Sequence, residues 1–159
     1  MKKILLLAIG FLMTMTASAQ FEQGKYYCNG SLTGINLSYS GAEKLSFGVE
    51  AKGGYLVADN WMALVMAGYS HDEDVDDKFA VGVGGRYYII QNGLYMGLNA
   101  RLVHGGSGYN DIMPGLELGY AFFLGKSVTI EPSVYYDQSI KNHSDYSKVG
   151  LRIGVGVYL

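Results

Sequence analysis

Apolar residues fall on every second position along much of this chain. From Leu151 to Leu159 the odd positions are all apolar, while the even ones carry Arg152, Gly154, Gly156 and Tyr158. A period of two marks a strand with one apolar face and one small or polar face. The same alternation runs through Leu45, Phe47, Val49, Ala51, Tyr55 and Val57, then Phe79, Val81, Val83, Tyr87 and Ile89. It returns in Leu94 to Leu102, in Ile112, Leu116, Leu118, Tyr120 and Phe122, and in Val128, Ile130, Val134 and Tyr136. Turn-forming runs separate these stretches and predict eight strands, near 26–39, 44–57, 61–71, 78–90, 94–103, 112–124, 128–138 and 148–159.

Two strands depart from the pattern. In the first, the phase of Ile35, Leu37 and Tyr39 gives Asn29, Ser31 and Thr33 lower down, which predicts a bulge or a late entry. In the third, Met62, Leu64 and Met66 are as apolar as Ala63, Val65 and Ala67, and only the phase of Trp61 and Tyr69 selects an outer face. Pro132 falls inside the seventh strand and predicts a local bulge, because proline has no N–H for the ladder. Ala58 to Asn60, Gln91 to Gly93 and Gly125 to Ser127 read as tight turns. Gly41 to Glu43, Asp72 to Asp77, His104 to Asp111 and Ser139 to Ser147 read as longer connections.

The phase opposite the apolar one carries the charge. It holds Glu50, Lys52, Arg86, Arg101, Glu117, Glu131, Asp137 and Arg152, four acids and four bases. Glycine is frequent on the same phase and leaves room for long Arg and Tyr side chains. A soluble barrel of the lipocalin kind would turn its apolar residues inward and its charges outward. Apolar faces outside and charges inside are what a closed barrel needs in lipid, where every backbone group must find a partner within the protein. Aromatics sit near the strand ends. Tyr55, Trp61, Tyr87, Tyr120 and Phe122 mark one girdle, and Tyr39, Phe47, Tyr69, Phe79 and Tyr136 the other. The predicted fold is an all-β, eight-stranded, antiparallel up-and-down transmembrane barrel.

Residues 1–19 have the form of a secretory signal peptide. Lys2 and Lys3 precede an apolar stretch, and Ala17-Ser18-Ala19 is a small-residue cleavage site, so the barrel domain is expected over 20–159. Composition agrees with strands at a bilayer, with 23 Gly and 14 Tyr against 2 Pro. A formal net charge of −2 advertises no nucleic-acid partner. Cys28 is the single cysteine, so no internal disulfide can form, and it reads as a tolerated residue near the start of the first strand.

The end of the chain is similar to the signal by which outer-membrane barrels are recognised for insertion: Arg152, Gly154 two residues on, then Val157 and Leu159. With the run Gly53 to Asn60, Arg86-Tyr87-Tyr88 and Leu118-Gly119-Tyr120, the whole mature chain resembles the small eight-stranded outer-membrane barrels of the OmpA/OmpX type. The resemblance implies an integral protein of a Gram-negative outer membrane, with membrane lipids and the barrel-assembly machinery as partners. It implies periplasmic termini and longer loops outside, where they can contact an extracellular partner. A peptidoglycan-binding domain of the kind carried by the longer OmpA proteins is not expected after the barrel.

Catalytic chemistry finds little to stand on. His71, His104 and His143 fall near loop ends. His104 with Ser107, and His143-Ser144-Asp145, hold the residue types for acyl transfer, but adjacent residues on a strand or loop point apart. Nothing makes the three histidines converge on a metal. Asp72 to Asp77 resembles a calcium ligand run without its Gly and terminal Glu. No cofactor or metal is expected. The expected role is structural or surface-interacting, with a lumen closed by paired charges. The alternatives are a narrow pore for ions or small solutes and a lipid-modifying enzyme of the lipid A acylase or acyltransferase type.

Overall fold

Each alternating segment becomes a strand that pairs antiparallel with its neighbours in sequence. The structure, a computed structural model, describes residues 21–35, 46–72, 75–89, 93–105, 109–141 and 147–159. The signal peptide, Gly41 to Glu43, Tyr39, Ser107 and His143 to Asp145 lie outside the described residues. The strands are β1 (Tyr26–Ile35), β2 (Ser46–Ala58), β3 (Trp61–Asp72), β4 (Val75–Tyr88) and β5 (Leu94–Gly105). They continue with β6 (Tyr109–Tyr120, resumed at Phe122–Phe123), β7 (Val128–Asp137) and β8 (Lys148–Tyr158). Every strand pairs with the next, and β1 pairs with β8 from Tyr27↔Tyr158 upward, so the sheet closes on itself without an edge. The result is the predicted eight-stranded antiparallel up-and-down barrel. No helix among the described residues is long and apolar enough to cross a membrane, which for a β-barrel is no requirement.

Alternation sets the two faces. Val65, Val83, Leu98, Leu118, Val134 and Ile153 point outward and are exposed, whereas Glu50, Arg86, Glu117, Glu131 and Arg152 are buried inside. An apolar exterior around a charged interior is the inverse of a water-soluble protein and is the polarity of a lipid-embedded barrel. In β3 the outer face is that of Trp61 and Tyr69, and Met62, Leu64 and Met66 are buried inside. At the end where the chain termini lie, outward aromatics pair across strands. Tyr26 meets Tyr55 at 5.1 Å between ring centres, Trp61 meets Tyr87 at 4.7 Å and Tyr120 meets Phe122 at 4.5 Å.

The irregularity expected in β1 is present. Thr33 pairs with Arg152 but Ile35 with Leu151, so one extra residue at Gly34 resets the register to β8. At Pro132 the outcome differs from the expectation. Pro132 pairs in unbroken register with Ile153 of β8, and no bulge forms there. The missing N–H shows on the other side. The β6 ladder stops at Gly119↔Ser133, leaves Tyr120 and Ala121 unpaired opposite Pro132 and Glu131, and resumes at Phe122↔Ile130. Ala121 turns its N–H to the carbonyl of Gly93 instead, at 2.8 Å. A gap on one side leaves the register intact, whereas a bulge would shift every later side chain.

The expected contrast between tight turns and longer connections also fails in part. At the end away from the termini, Asp72 pairs with Val75 and Gly105 with Tyr109. The first spans as few residues as the Asp59-Asn60 hairpin at the opposite end, where Asn60 takes the left-handed conformation that Asn tolerates, and the second is one residue longer. Most of Asp72 to Asp77 and of His104 to Asp111 is therefore strand.

Candidate functional site in the barrel interior

The lower interior, near the termini, is apolar and aromatic. Tyr27, Leu56, Met62, Leu64, Met66, Tyr88, Tyr95, Ala121 and Tyr158 form one buried cluster with Phe21. Phe21 precedes β1 and lies beneath the barrel. Its ring stacks on Tyr88 at 3.7 Å and 13° and meets Phe123 and Tyr158 edge-on. Backbone bonds hold this strap: Asn60 N–H to the Phe21 carbonyl and Gly24 N–H to the Leu56 carbonyl, both 2.9 Å.

Above the cluster stands Arg86, from β4, almost fully buried. Its guanidinium lies 3.8 Å over the Tyr95 ring and 5.1 Å from that of Tyr27. It donates to Glu131 at 2.9 Å, Tyr27 Oη at 3.1 Å and Tyr88 Oη at 3.4 Å, and reaches Glu117 at 3.5 Å. Glu131 also accepts from Thr129 Oγ1 at 2.8 Å, from Tyr158 Oη at 3.2 Å and from Tyr27 Oη. Tyr95 Oη donates to Glu117 at 3.0 Å.

Higher up, the remaining charges join the same network. Lys52 meets Glu117 at 2.7 Å and Glu50 at 3.4 Å. Arg152 meets Glu117 at 3.0 Å and Glu50 at 3.5 Å, with its guanidinium 4.3 Å over the Tyr135 ring. Arg101 bridges Glu50 and Asp137, each at 3.1 Å. The ion pairs thus link all eight charges into one network: Lys52 and Arg152 each bridge Glu50 and Glu117, Arg101 ties Glu50 to Asp137, and Arg86 ties Glu117 to Glu131. Glycine makes space for it. A Cβ on Gly150 would lie 2.6 Å from Tyr135 Oη, and one on Gly156 would lie 2.6 Å from Glu131 Oε1.

Satisfaction is uneven. Buried Asn99 Oδ1, Arg101 Nε, Ser133 Oγ, Asp137 Oδ1 and Arg152 Nη2 have no hydrogen-bond partner among the described residues. These lie in the upper part of the interior, while at the lower end Asn60 Oδ1 is also without a partner among the described residues. The tyrosines that wrap Arg86 were not singled out by the charge pattern. Their signal was their phase: Tyr88 is two residues from Arg86, and Tyr27 and Tyr158 share the phase of Asn29 and Gly156. Phe21 lies outside any alternating run and gave no signal.

Among the other sequence candidates, His104 Nδ1 lies 2.6 Å from Asn110 Oδ1 on the outer face. Ser139 instead donates to Asp111, whose carboxylate also accepts from the backbone N–H of Ile112 at 2.8 Å and of Lys141 at 3.3 Å. Among the described residues no group of three or more His, Cys, Asp or Glu converges to hold a metal ion. Cys28 is exposed on the outer face of β1. Of the residues in the C-terminal pattern, Arg152 is in the ion network, Gly154 packs on Asn29, and Val157 and Leu159 lie on the outer phase.

No protein-family model and no characterised protein sequence matches this chain. Solved structures do match. The N-terminal β-barrel domain of Pseudomonas aeruginosa OprF superposes with a TM-score of 0.63 at 14% identity, covering 86% of this chain and 98% of that one. Neisserial surface protein A gives 0.56 at 16% identity, covering 84% and 95%. A de novo designed transmembrane β-barrel gives 0.56 at 16% identity, covering 87% and 98%. At such identities the likeness is one of fold, and the inverted polarity says the same independently: the chain has the architecture of the small eight-stranded outer-membrane β-barrels.

Proposed function

We propose that this protein is an integral outer-membrane barrel with a lumen closed to ions. Its role is structural or a contact made by its loops, and it carries out no catalysis. The observation that carries this reading is the interior network, in which four acids and four bases pair across a barrel no wider than its own side chains. Beneath it the Phe21 strap lies across the barrel end. An ion entering would have to break pairs whose separated members each cost several kcal/mol in a low-dielectric interior. On this reading both termini are periplasmic and the longer loops are extracellular. Arg152, Gly154, Val157 and Leu159 are proposed to be read by the barrel-assembly machinery during insertion.

A narrow pore is the second reading, favoured by the unpartnered polar atoms of Asn99, Arg101, Ser133 and Asp137. Single-channel recording of the refolded chain in a planar bilayer separates the two, with a heat-dependent gel shift to show that the barrel has formed. Folded protein with no discrete current is expected. Reproducible steps that change in Arg101→Ala or Glu117→Ala would establish the pore.

A further inference from the structure

The segment Phe21 to Lys25 meets the barrel much as a separate peptide would. Phe21 alone of its side chains is buried, and Glu22, Gln23 and Gly24 are exposed. The Phe21 ring fills a socket walled by Tyr88, Tyr158 and Phe123. Beside the socket runs a backbone rail, the stretch from Leu56 to Asn60 at the β2–β3 turn. Leu56 N–H donates to the Lys25 carbonyl, Gly24 N–H to the Leu56 carbonyl and Asn60 N–H to the Phe21 carbonyl, each at 2.9 Å. Gln23 N–H donates to Asp59 Oδ1 at 2.9 Å, and its side-chain amide reaches the Val57 carbonyl at 3.1 Å. A row of main-chain bonds with a pocket for one side chain is the way sheets take up extended peptides. Gly24 turns the segment at φ +96°, and nothing lies within 4 Å of where its Cβ would be, so conformation and not space calls for glycine there.

We infer that this end of the barrel is a peptide-binding site for an extended segment carrying an aromatic side chain, and that Phe21 occupies it in cis as an autoinhibitory strap hinged at Gly24. The rings of the socket stand on strands that the closed ladder holds, whereas the strap is held by one ring and a few bonds. It therefore opens as a unit while the barrel stays closed. Opening bares the rings and the rail together. A segment in trans competes with a tethered one, whose effective concentration is roughly millimolar, so the strap keeps weak ligands out and yields to a strong one. The inference does not depend on whether the lumen conducts, because Arg86 and its tyrosines stand above the socket.

The test is NMR of the refolded barrel in micelles, with the heat-dependent gel shift showing that each variant has formed a barrel. Hydrogen exchange reads the hinge. In the wild type the Gly24 and Asn60 amides should exchange at least about tenfold faster than the ladder amides of β3 and β4. Gly24→Ala strains the hinge and leaves the socket intact, so it should speed those two amides further and leave the ladder unchanged. Two probes read the socket: the peptide acetyl-Phe-Glu-Gln-Gly-Lys-amide, which is the strap's own sequence, and the same peptide with Ala in first place. The double variant Phe21→Ala with Gly24→Ala should bind the first about tenfold more tightly than the second, with shifts at Leu56, Asn60, Tyr88 and Tyr158. The wild type should bind the first peptide less tightly than the double variant does. Strap amides that exchange at the rate of the ladder, equal affinity of the double variant for the two peptides, or no binding of either would overturn the proposal.

Discussion

The lower and upper halves of the barrel interior are built from the same charges but finished differently. Around Glu131 and Arg86 the polar groups meet partners: Glu131 takes bonds from Arg86, Thr129, Tyr158 and Tyr27, and aromatic rings close over the guanidinium. Around Asp137 and Arg101 the ion pairs are present, yet Asn99, Ser133, Asp137 and both arginines keep atoms without a hydrogen bond. Side-chain supply explains the contrast. The inward phase is rich in tyrosine at the lower end, whereas Gly48, Gly68, Gly82 and Ser133 occupy it higher up. Tyrosine fills space and brings a hydroxyl to a charge, and glycine and serine do neither as well. Stability is therefore expected to concentrate in the lower half.

Removing a cation from each half tests this most directly. Arg86→Met strands Glu131 and weakens Glu117, and should cost about 3–5 kcal/mol, the range for breaking a buried ion pair. Arg101→Met makes the same chemical change in the upper half and should cost less than half as much. Denaturant unfolding of the refolded barrel in lipid reads both, and equal losses would break the comparison. Phe21→Ala comes next. It removes a stacked ring from the lower cluster, and a loss of about 2–4 kcal/mol is expected, near the lower bound for burying a Phe because the strap can relax. Its signature is local: the amides of Gly24 and Asn60, bonded to and from the strap, should exchange faster. Gly150→Ala should cost about 1–3 kcal/mol by overpacking against Tyr135, measured by the same unfolding.

The fold was legible because one requirement, apolar residues against lipid, acts on every second position of every strand. Even in β3, where both phases are apolar, the aromatic ends Trp61 and Tyr69 revealed the outer face. The strand tips were harder to read. Asp72 to Asp77 reads as a loop because it is polar, but beyond the hydrocarbon the outward face need not be apolar, so the ladder runs on past the pattern. Pro132 was read as a bulge because the sequence shows the missing donor and hides which neighbour would have received it. Counting from the tight turns puts Glu50, Arg101, Glu117 and Arg152 at one height in the barrel, but which cation meets which acid was not legible. That depends on the stagger between strands far apart in sequence, such as Arg86 with Glu131.

The finest test of the comparison uses two hydroxyls on one strand. Thr129 and Ser133 both sit on the inward phase of β7 and both are buried. Thr129 Oγ1 donates to Glu131 at 2.8 Å, while Ser133 Oγ has no partner among the described residues. Thr129→Val keeps the side-chain shape and deletes a bond to a charged acceptor, so a loss of about 1.5–3 kcal/mol is expected. Ser133→Ala deletes a hydroxyl that makes no such bond and should change stability by less than about 0.5 kcal/mol. Both are read as shifts in the denaturant midpoint at constant slope. A loss at Ser133 matching that at Thr129 would mean that the upper hydroxyl is as firmly bound as the lower one. The two halves would then be equally tight, and the unpartnered atoms would no longer support a pore.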